Sequence, residues 1–208
     1  MAQARAGRAR SSGAGRDEKG GSFPCFFEPL RRRSIGNRLR GRKSRASEDE
    51  AYSVVDTTIP SYYVDQRETL RLHIDRTRHW WDTERPQYQV FVSDLVVLEL
   101  QEGDYPSKSD ALALVASIPR LAPAPTVGEI VAAYLAHRLM PRQDLRDAFH
   151  LTFASFYKVD FLLTWNCQHL ANARKQRHIR TVNSVLGLSS PLIVTPLELV
   201  ITEDEETL

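Results

Sequence analysis

Several carboxylates stand where a folded chain could bring them to one place. Asp56 follows the apolar pair Val54 and Val55, so a buried strand would hold its backbone rigidly. Glu99 lies inside the apolar run 95–100, where a carboxylate carries a desolvation penalty unless it is paired or bound to a cation. Taken alone, each acid also fits a structural role, Asp56 as a helix cap and Glu99 as a partly exposed helix residue.

Asp144 and Asp147 form a second acidic pair, three residues apart, which would share one face of a helix. Asp147 lies deeper in the apolar stretch that follows, and we assign it to the chemistry. Asp144 is better placed to meet the positive end of the helix dipole, and we assign it a capping or supporting role. The alternative is that both acids only stabilise the start of the helix.

The segments that carry these acids alternate between strand-like and helix-like patterns. This alternation predicts an α/β domain with a central parallel sheet. Such sheets hold ligand sites at the carboxyl ends of their strands, near the switch in strand order. The predicted strands are 52–56, 88–93, 160–165 and 192–195, and the predicted helices are 66–84, 94–102, 107–118, 126–139, 143–158 and 168–178.

Local signals mark several helix ends. Ser93 is predicted to cap the helix over 94–102, and Gly103 is predicted to stop it. Thr126 and Glu129 have the spacing of a capping box.

The rule for parallel sheets distinguishes two polar residues near the third predicted strand by the edge of the sheet at which each would lie. Asp160 begins this strand and would lie roughly 16 Å from its carboxyl edge, at about 3.3 Å per residue. Asn166 follows the strand and lies at the correct edge. Its neutral oxygen can bind a metal-bound water or the hydration shell of a phosphate, with less affinity than a carboxylate has.

The three acids assigned to chemistry, Asp56, Glu99 and Asp147, would repel one another at a shared sheet edge. A divalent cation would resolve this repulsion. An oxygen donor set without a His or Cys set favours Mg²⁺ or Mn²⁺ over zinc. The residues themselves therefore predict an acidic site for a divalent metal ion.

The body of the chain resembles the PIN domain, the fold of VapC-type toxin ribonucleases. The resemblance covers most of residues 52–199 and implies a three-layer α/β/α PIN-like domain with a central parallel sheet. The matching segments are VVDTTIPSYY (54–63), VSDLVVLELQEG (92–103), LRDAFHLTFASFYKVDFLLTWN (145–166) and LIVTPLEL (192–199).

The resemblance also implies roles for individual residues. Asp56, Glu99 and Asp147 match the first, second and third acids of the family, which hold the metal. Asn166 stands where many members have a fourth acid, so the number of metal ions stays open. Thr57 and Thr164 match hydroxyl positions that support the metal shell.

An activity and partners follow from the same resemblance. It implies a Mg²⁺- or Mn²⁺-dependent endoribonuclease that hydrolyses RNA phosphodiester bonds. It further implies the toxin of a type II toxin–antitoxin system, neutralised by a small antitoxin protein, and dimerisation. Two alternatives stay open: a non-catalytic module that binds nucleic acid or protein, and another metal-dependent phosphohydrolase acting on a small phosphoester.

The charge distribution divides the chain near Ala51. Residues 1–50 hold 13 basic and 6 acidic side chains, a net charge of +7, and residues 51–208 hold 15 and 20, a net charge of −5. We expect a mostly disordered basic arm over 1–50 and one nuclease domain over 51–208. The arm is compatible with a nucleic-acid-binding tail, a transit-like peptide or an extension from a wrongly chosen start codon.

Other classes are disfavoured. The sequence has no apolar run long enough for a membrane helix, no secretory core and no Gly-rich phosphate loop. Its two cysteines, Cys25 and Cys167, make no disulfide framework, and a cytoplasmic location is the simplest inference.

Residues outside the acidic set are interpreted more conservatively. Arg67, Arg71 and Arg78 recur on one helix face and are read as a solvated surface rather than an RNA contact. His150 is interpreted as structural and His169 as part of a helix surface. Trp165 is equally compatible with stacking on a base and with a core position.

Overall fold

The computed structural model describes residues 51–141 and 143–199. Their centre is a five-stranded, all-parallel sheet with the strand order β3-β2-β1-β4-β5. Predictions for the arm over 1–50 lie outside the described residues. The strands are β1 (Ala51–Val55), β2 (Tyr88–Ser93), β3 (Arg120–Leu121), β4 (Phe161–Leu163) and β5 (Leu192–Val194).

Seven α-helices connect and cover these strands in the described part of the chain. They are α1 (Thr58–Val64), α2 (Arg71–His79), α3 (Asp94–Glu102), α4 (Lys108–Val115), α5 (Pro125–Ala136), α6 (Leu145–Phe156) and α7 (Ala173–Leu186). None of the helices described is long and apolar enough to cross a bilayer.

The sheet is covered on both faces, because neighbouring residues of a strand point to opposite sides. Val54 faces a core built with α5, α6 and α7. Val55, the next residue, faces a second core that includes residues of α3 and α4. The predicted α/β fold with a central parallel sheet is therefore confirmed, as three layers.

The predicted helix over 66–84 is divided into three pieces. A 3₁₀ turn (Glu68–Leu70) precedes α2, and a π-helical turn (Trp80–Glu84) follows it. Both Trp80 and Trp81 are buried, and both pack in the second core. The wider π turn thus accompanies burial of two adjacent rings in one core.

The helix ends agree with the sequence signals only in part. The Ser93 side chain accepts a hydrogen bond from the Val96 amide, so this cap is confirmed. Gly103 ends α3 at φ −60°, without the left-handed conformation. A Cβ atom there would lie 2.5 Å from the Tyr105 ring, so the close approach of this ring accounts for the glycine. The capping box is wrong, because α5 begins at Pro125 and has no side-chain cap.

One short strand was not predicted, and one helix lies farther along the chain than predicted. β3 is only two residues long and pairs with Val92 and Ser93. The helix predicted over 168–178 instead occupies Ala173–Leu186, after a turn that ends at Asn172. Asn172 caps α7 by accepting a hydrogen bond from the Arg174 amide.

Candidate active site

The candidate site lies at the carboxyl ends of β1 and β4, where the strand order changes direction. The chain runs from β1 to β2 and β3 on one side, and β4 and β5 extend the sheet on the other. Val55 pairs with Leu163, so Asp56 and Thr164 follow the two strands side by side. This is the crevice in which open parallel sheets bind ligands.

Asp56 is buried and fully engaged with hydroxyl and amide donors. Its Oδ1 accepts from the Thr58 amide at 2.9 Å and from the Thr58 hydroxyl at 2.5 Å. Its Oδ2 accepts from the Thr164 hydroxyl. Burial raises the pKa of Asp56 above its usual value, although His150 and these hydrogen bonds act in the opposite direction. The carboxylate is thus rigidly held.

Glu99 reaches the same region from α3. Its Oε2 accepts from the Thr57 hydroxyl and lies 3.2 Å from His150 Nε2. Arg146 Nε lies 3.7 Å from the other oxygen. Burial by itself would raise the pKa of Glu99, but the His150 contact, Thr57 and Arg146 together hold it below the usual value.

His150 lies among the acids rather than in an apolar core. Only 3% of the residue is exposed, and it interacts electrostatically with Asp56, Glu99 and Asp147. Burial opposes its protonation, yet the hydrogen bond to Glu99 and the three negative charges raise its pKa above the usual value. A purely structural interpretation is therefore incomplete, because a protonated ring would offset negative charge inside the site.

Asp147 is oriented by Asn166. The Asn166 side-chain amide donates to both oxygens of Asp147 at 2.9 Å each. The main-chain N–H of Asn166 donates to the Thr164 hydroxyl, which in turn donates to Asp56. Burial raises the pKa of Asp147, partly offset by His150 and His169. One chain of hydrogen bonds thus joins two acids from distant segments.

Asp144 and His169 complete a compact group with Asp147. The His169 Nδ1 lies 3.4 Å from Asp144 Oδ2. One ligand atom from each of the three side chains lies within 4.8 Å of the others, and no other such trio forms among the residues the structure describes. Asp144 makes no capping hydrogen bond to α6, so its observed partner is His169.

This group fits a divalent cation by its donor chemistry. Two carboxylates could hold Mg²⁺ or Mn²⁺, and the imidazole nitrogen favours a transition-metal ion such as Mn²⁺ over Mg²⁺. The predicted set of Asp56, Glu99 and Asp147 is arranged differently. All three acids interact electrostatically with His150, and only Asp147 belongs to the compact trio.

Several other residues lie away from this group. Asp160 accepts from the Tyr52 amide at 2.8 Å, which places it at the opposite edge of the sheet. Trp165 is buried and donates to the Thr77 hydroxyl at 2.7 Å, so it belongs to the core. The arginines of the helix face have local partners: Arg67 pairs with Asp65, Arg71 with Glu68 and Asp75, and Arg78 binds main-chain carbonyls.

Three contributors were not recognised from the sequence. His150 follows Asp147 by three residues, and this helical spacing is a signal that it shares the acid's face. His169 follows Asn166 by three residues in a turn, not on a helix, and its amide donates to the Asn166 side chain at 3.0 Å. Thr58 had no signal beyond its place next to Thr57.

Comparison with known proteins gives no match by sequence and a remote match by structure. No protein-family model matches the sequence, and no curated protein does. Among solved structures, a chain from the "Crystal structure of VapBC2 from Rickettsia felis bound to a DNA fragment from their promoter" has a TM-score of 0.45. It is 12% identical, and the match covers 69% of this chain and 98% of that chain.

Proposed function

We propose that this protein is a metal-dependent endoribonuclease of the PIN type that hydrolyses RNA phosphodiester bonds. The observation that supports the proposal is the convergence of acids from three separate segments at one sheet edge, with Asp147 shared by the compact trio that could hold a metal ion. The motifs that resemble PIN domains support the same reading. Mg²⁺ or Mn²⁺ is the proposed cofactor, with Mn²⁺ favoured by His169.

The proposed division of labour follows the contacts. Asp144, Asp147 and His169 hold the ion, and Asn166 fixes the orientation of Asp147. When bound, the cation supplies activation of water and neutralisation of charge on the phosphate. Asp56 and Glu99 supply the other carboxylates of the site. Their orientation is fixed by hydrogen bonds from Thr57, Thr58 and Thr164.

His150 and Arg146 supply the positive charge that this arrangement needs. His150 contacts Glu99 and faces Asp56 and Asp147. Arg146 bonds Glu102 at 2.6 Å and approaches Glu99. Both groups lower the cost of gathering carboxylates in a partly buried site.

A toxin-like role in the cytoplasm belongs to the same proposal, with a small antitoxin protein as partner and self-association into a dimer. Light scattering on the purified chain tests the dimer. Co-purification with the product of a neighbouring small reading frame tests the antitoxin.

The activity test uses full-length protein with single-stranded and structured RNA, in Mn²⁺ and in EDTA. Asp56→Asn removes a charge at the site, and Asp160→Asn makes the same change at the opposite edge as a matched control. We expect Mn²⁺-dependent cleavage in the wild type and in Asp160→Asn. Asp56→Asn should lose roughly 100-fold, equivalent to about 2.7 kcal/mol of activation free energy.

Three results would contradict the proposal. Cleavage that is absent in Mn²⁺ at high enzyme excess would exclude a nuclease. Cleavage that is unchanged in Asp56→Asn would assign the activity to another site or to a contaminant. Turnover of a generic phosphoester without cleavage of RNA would identify a different phosphohydrolase.

A further inference from the structure

Helix α7 carries a dense block of positive charge. Its first eight residues include four Lys or Arg side chains and one histidine, and the whole helix has no acidic residue. This contrasts with the net charge of −5 over residues 51–208. The basic residues are Arg174, Lys175, Arg177, His178 and Arg180.

The arginines of α7 differ from those around α2 in their ion pairing within the described part of the chain. Arg174, Arg177 and Arg180 are exposed, and none forms an ion pair with a residue that the structure describes. We call these three the α7 basic face. Around α2, by contrast, Arg67 and Arg71 are both matched with neighbouring carboxylates. Among the residues that the structure describes, no carboxylate compensates the repulsion within the α7 basic face, which favours an anionic ligand.

The start of α7 is tied to the candidate active site. The main-chain carbonyl of Asn166 accepts from the amides of Leu170 and Ala171, at 3.0 and 2.9 Å. His169 of the same turn contacts Asp144. The helix begins two residues after this turn, at Ala173. The α7 basic face thus leads away from the acidic group.

A groove lies between the end of α5 and the start of α7. Its volume is about 650 Å³, and its lining includes two cations, Arg138 and Lys175, beside apolar Met140 and Pro141. The Pro141 carbonyl accepts from the Asp144 amide at 3.0 Å. The groove therefore borders the acidic group, and its size and mixed lining suit a small organic group such as a nucleotide.

We propose that the groove and the α7 basic face bind the backbone of single-stranded RNA that flanks the cleaved bond. This inference rests on the proposed function, since it names the path of that substrate. Arg174 and Arg180 are separated by about 9 Å along the helix, at about 1.5 Å per residue. That length allows contact with more than one phosphate, and the contacts are independent of base sequence.

The test measures binding without cleavage. Full-length protein in EDTA is titrated with a fluorescein-labelled single-stranded RNA at several salt concentrations, and affinity is followed by fluorescence anisotropy. One variant carries Arg174→Gln, Arg177→Gln and Arg180→Gln. The control carries Arg67→Gln, Arg71→Gln and Arg76→Gln, which removes the same charge near α2.

We expect the α7 variant to bind at least about tenfold more weakly and the slope of log K against log salt to fall by about two, for three lost phosphate contacts. The control should keep the wild-type slope. Equal losses in both variants, or no loss in either, would overturn the proposal. Displacement of the RNA by polyglutamate at equal charge concentration would also overturn it and indicate an acidic protein partner.

Activity assays distinguish a failure of this inference from a failure of the proposed function. In Mn²⁺, the α7 variant should hydrolyse bis(4-nitrophenyl) phosphate at the wild-type rate, while its KM for RNA rises and kcat is retained. A wild-type protein that binds RNA through α7 but cleaves neither substrate would contradict the nuclease and leave the binding surface intact. If the triple variant does not fold, single substitutions should each lower the salt slope by about 0.7.

Discussion

Asn166 donates its side-chain amide to both carboxylate oxygens of Asp147, at 2.9 Å each. The two residues lie on different elements, Asp147 in the first turn of α6 and Asn166 after β4. An amide at this position orients the acid without adding charge. Asn166 therefore has a structural effect on the site as well as an electrostatic one.

The change Asn166→Asp should replace this neutral donor with a negative charge. Without metal, two carboxylates would meet where an amide now donates, and we expect the variant to be about 1–3 kcal/mol less stable. Mn²⁺ should restore stability, because an ion bound at 100 times its Kd contributes about 2.7 kcal/mol. Chemical denaturation in EDTA and in Mn²⁺ measures both effects.

Asn183→Asp is the matched control for this change. Asn183 is buried and bonded to Tyr134, Ser155 and Ser189, in the first core away from the acids. The Asn183→Asp variant should be less stable than the wild type in EDTA, and Mn²⁺ should not restore its stability. Equal rescue of both variants would contradict a metal effect that is specific to the site.

Metal binding should depend on the compact trio. Mn²⁺ should raise the Tm of the wild type in a concentration-dependent way, and Asp144→Asn, Asp147→Asn and His169→Gln should each weaken this response. Thermal denaturation across a Mn²⁺ titration provides the measurement. A response that is lost in Asp56→Asn or Glu99→Gln but kept in Asp144→Asn and His169→Gln would instead support the ligand set predicted from the sequence.

Thr164→Val should loosen Asp56. The substitution keeps the shape of the side chain but removes the hydroxyl that donates to Asp56 and accepts from the Asn166 amide. We expect a loss of about 1–3 kcal/mol in unfolding free energy, because buried polar atoms lose a partner. Metal affinity or activity should also fall by about 10–100-fold, the usual effect of removing a supporting contact.

Thr152→Val provides the comparison for Thr164→Val. Thr152 is equally buried, and its hydroxyl donates to the Ala148 carbonyl of its own helix. That carbonyl also accepts a main-chain hydrogen bond within the helix, so the loss of unfolding free energy should be smaller and activity should be retained. A larger effect of Thr152→Val on activity would argue against a special role for Thr164.

The His150–Glu99 pair should give stability a defined pH dependence. The pKa of His150 is raised, so its contribution is complete below its unfolded value of about 6.5 and is lost as pH rises through the folded pKa. The pKa of Glu99 is lowered, so its contribution is present above its unfolded value and is lost as pH falls through the folded pKa. The pair therefore stabilises most between about pH 4.5 and 6.5.

His150→Gln tests this window in EDTA. The difference in unfolding free energy between wild type and variant should be largest inside this pH window and should become smaller at higher pH. Urea denaturation at several pH values measures the difference. If the difference in unfolding free energy is constant from pH 5 to 9, His150 acts through packing rather than charge.

Short-range patterns were enough to determine the class of the fold. The alternation of apolar strands and helices predicted a parallel α/β sheet, and β2 has the predicted bounds of 88–93. The Ser93 cap also followed from local sequence, because its partner lies only three residues away. The same reasoning separated Asp160 from the site, since strand length alone places it at the opposite edge.

The partners of the site residues were decided by the tertiary structure. Thr164 and Asp56 are 108 residues apart in the chain, Glu99 and His150 are 51 apart, and Asp147 and Asn166 are 19 apart. No periodicity links such positions, because their contact depends on strand order and on the angle of α6 against the sheet. For this reason the sequence could only propose acids for the sheet edge, and the fold decided that Glu99 contacts His150 and that Asp144 and His169 lie near Asp147.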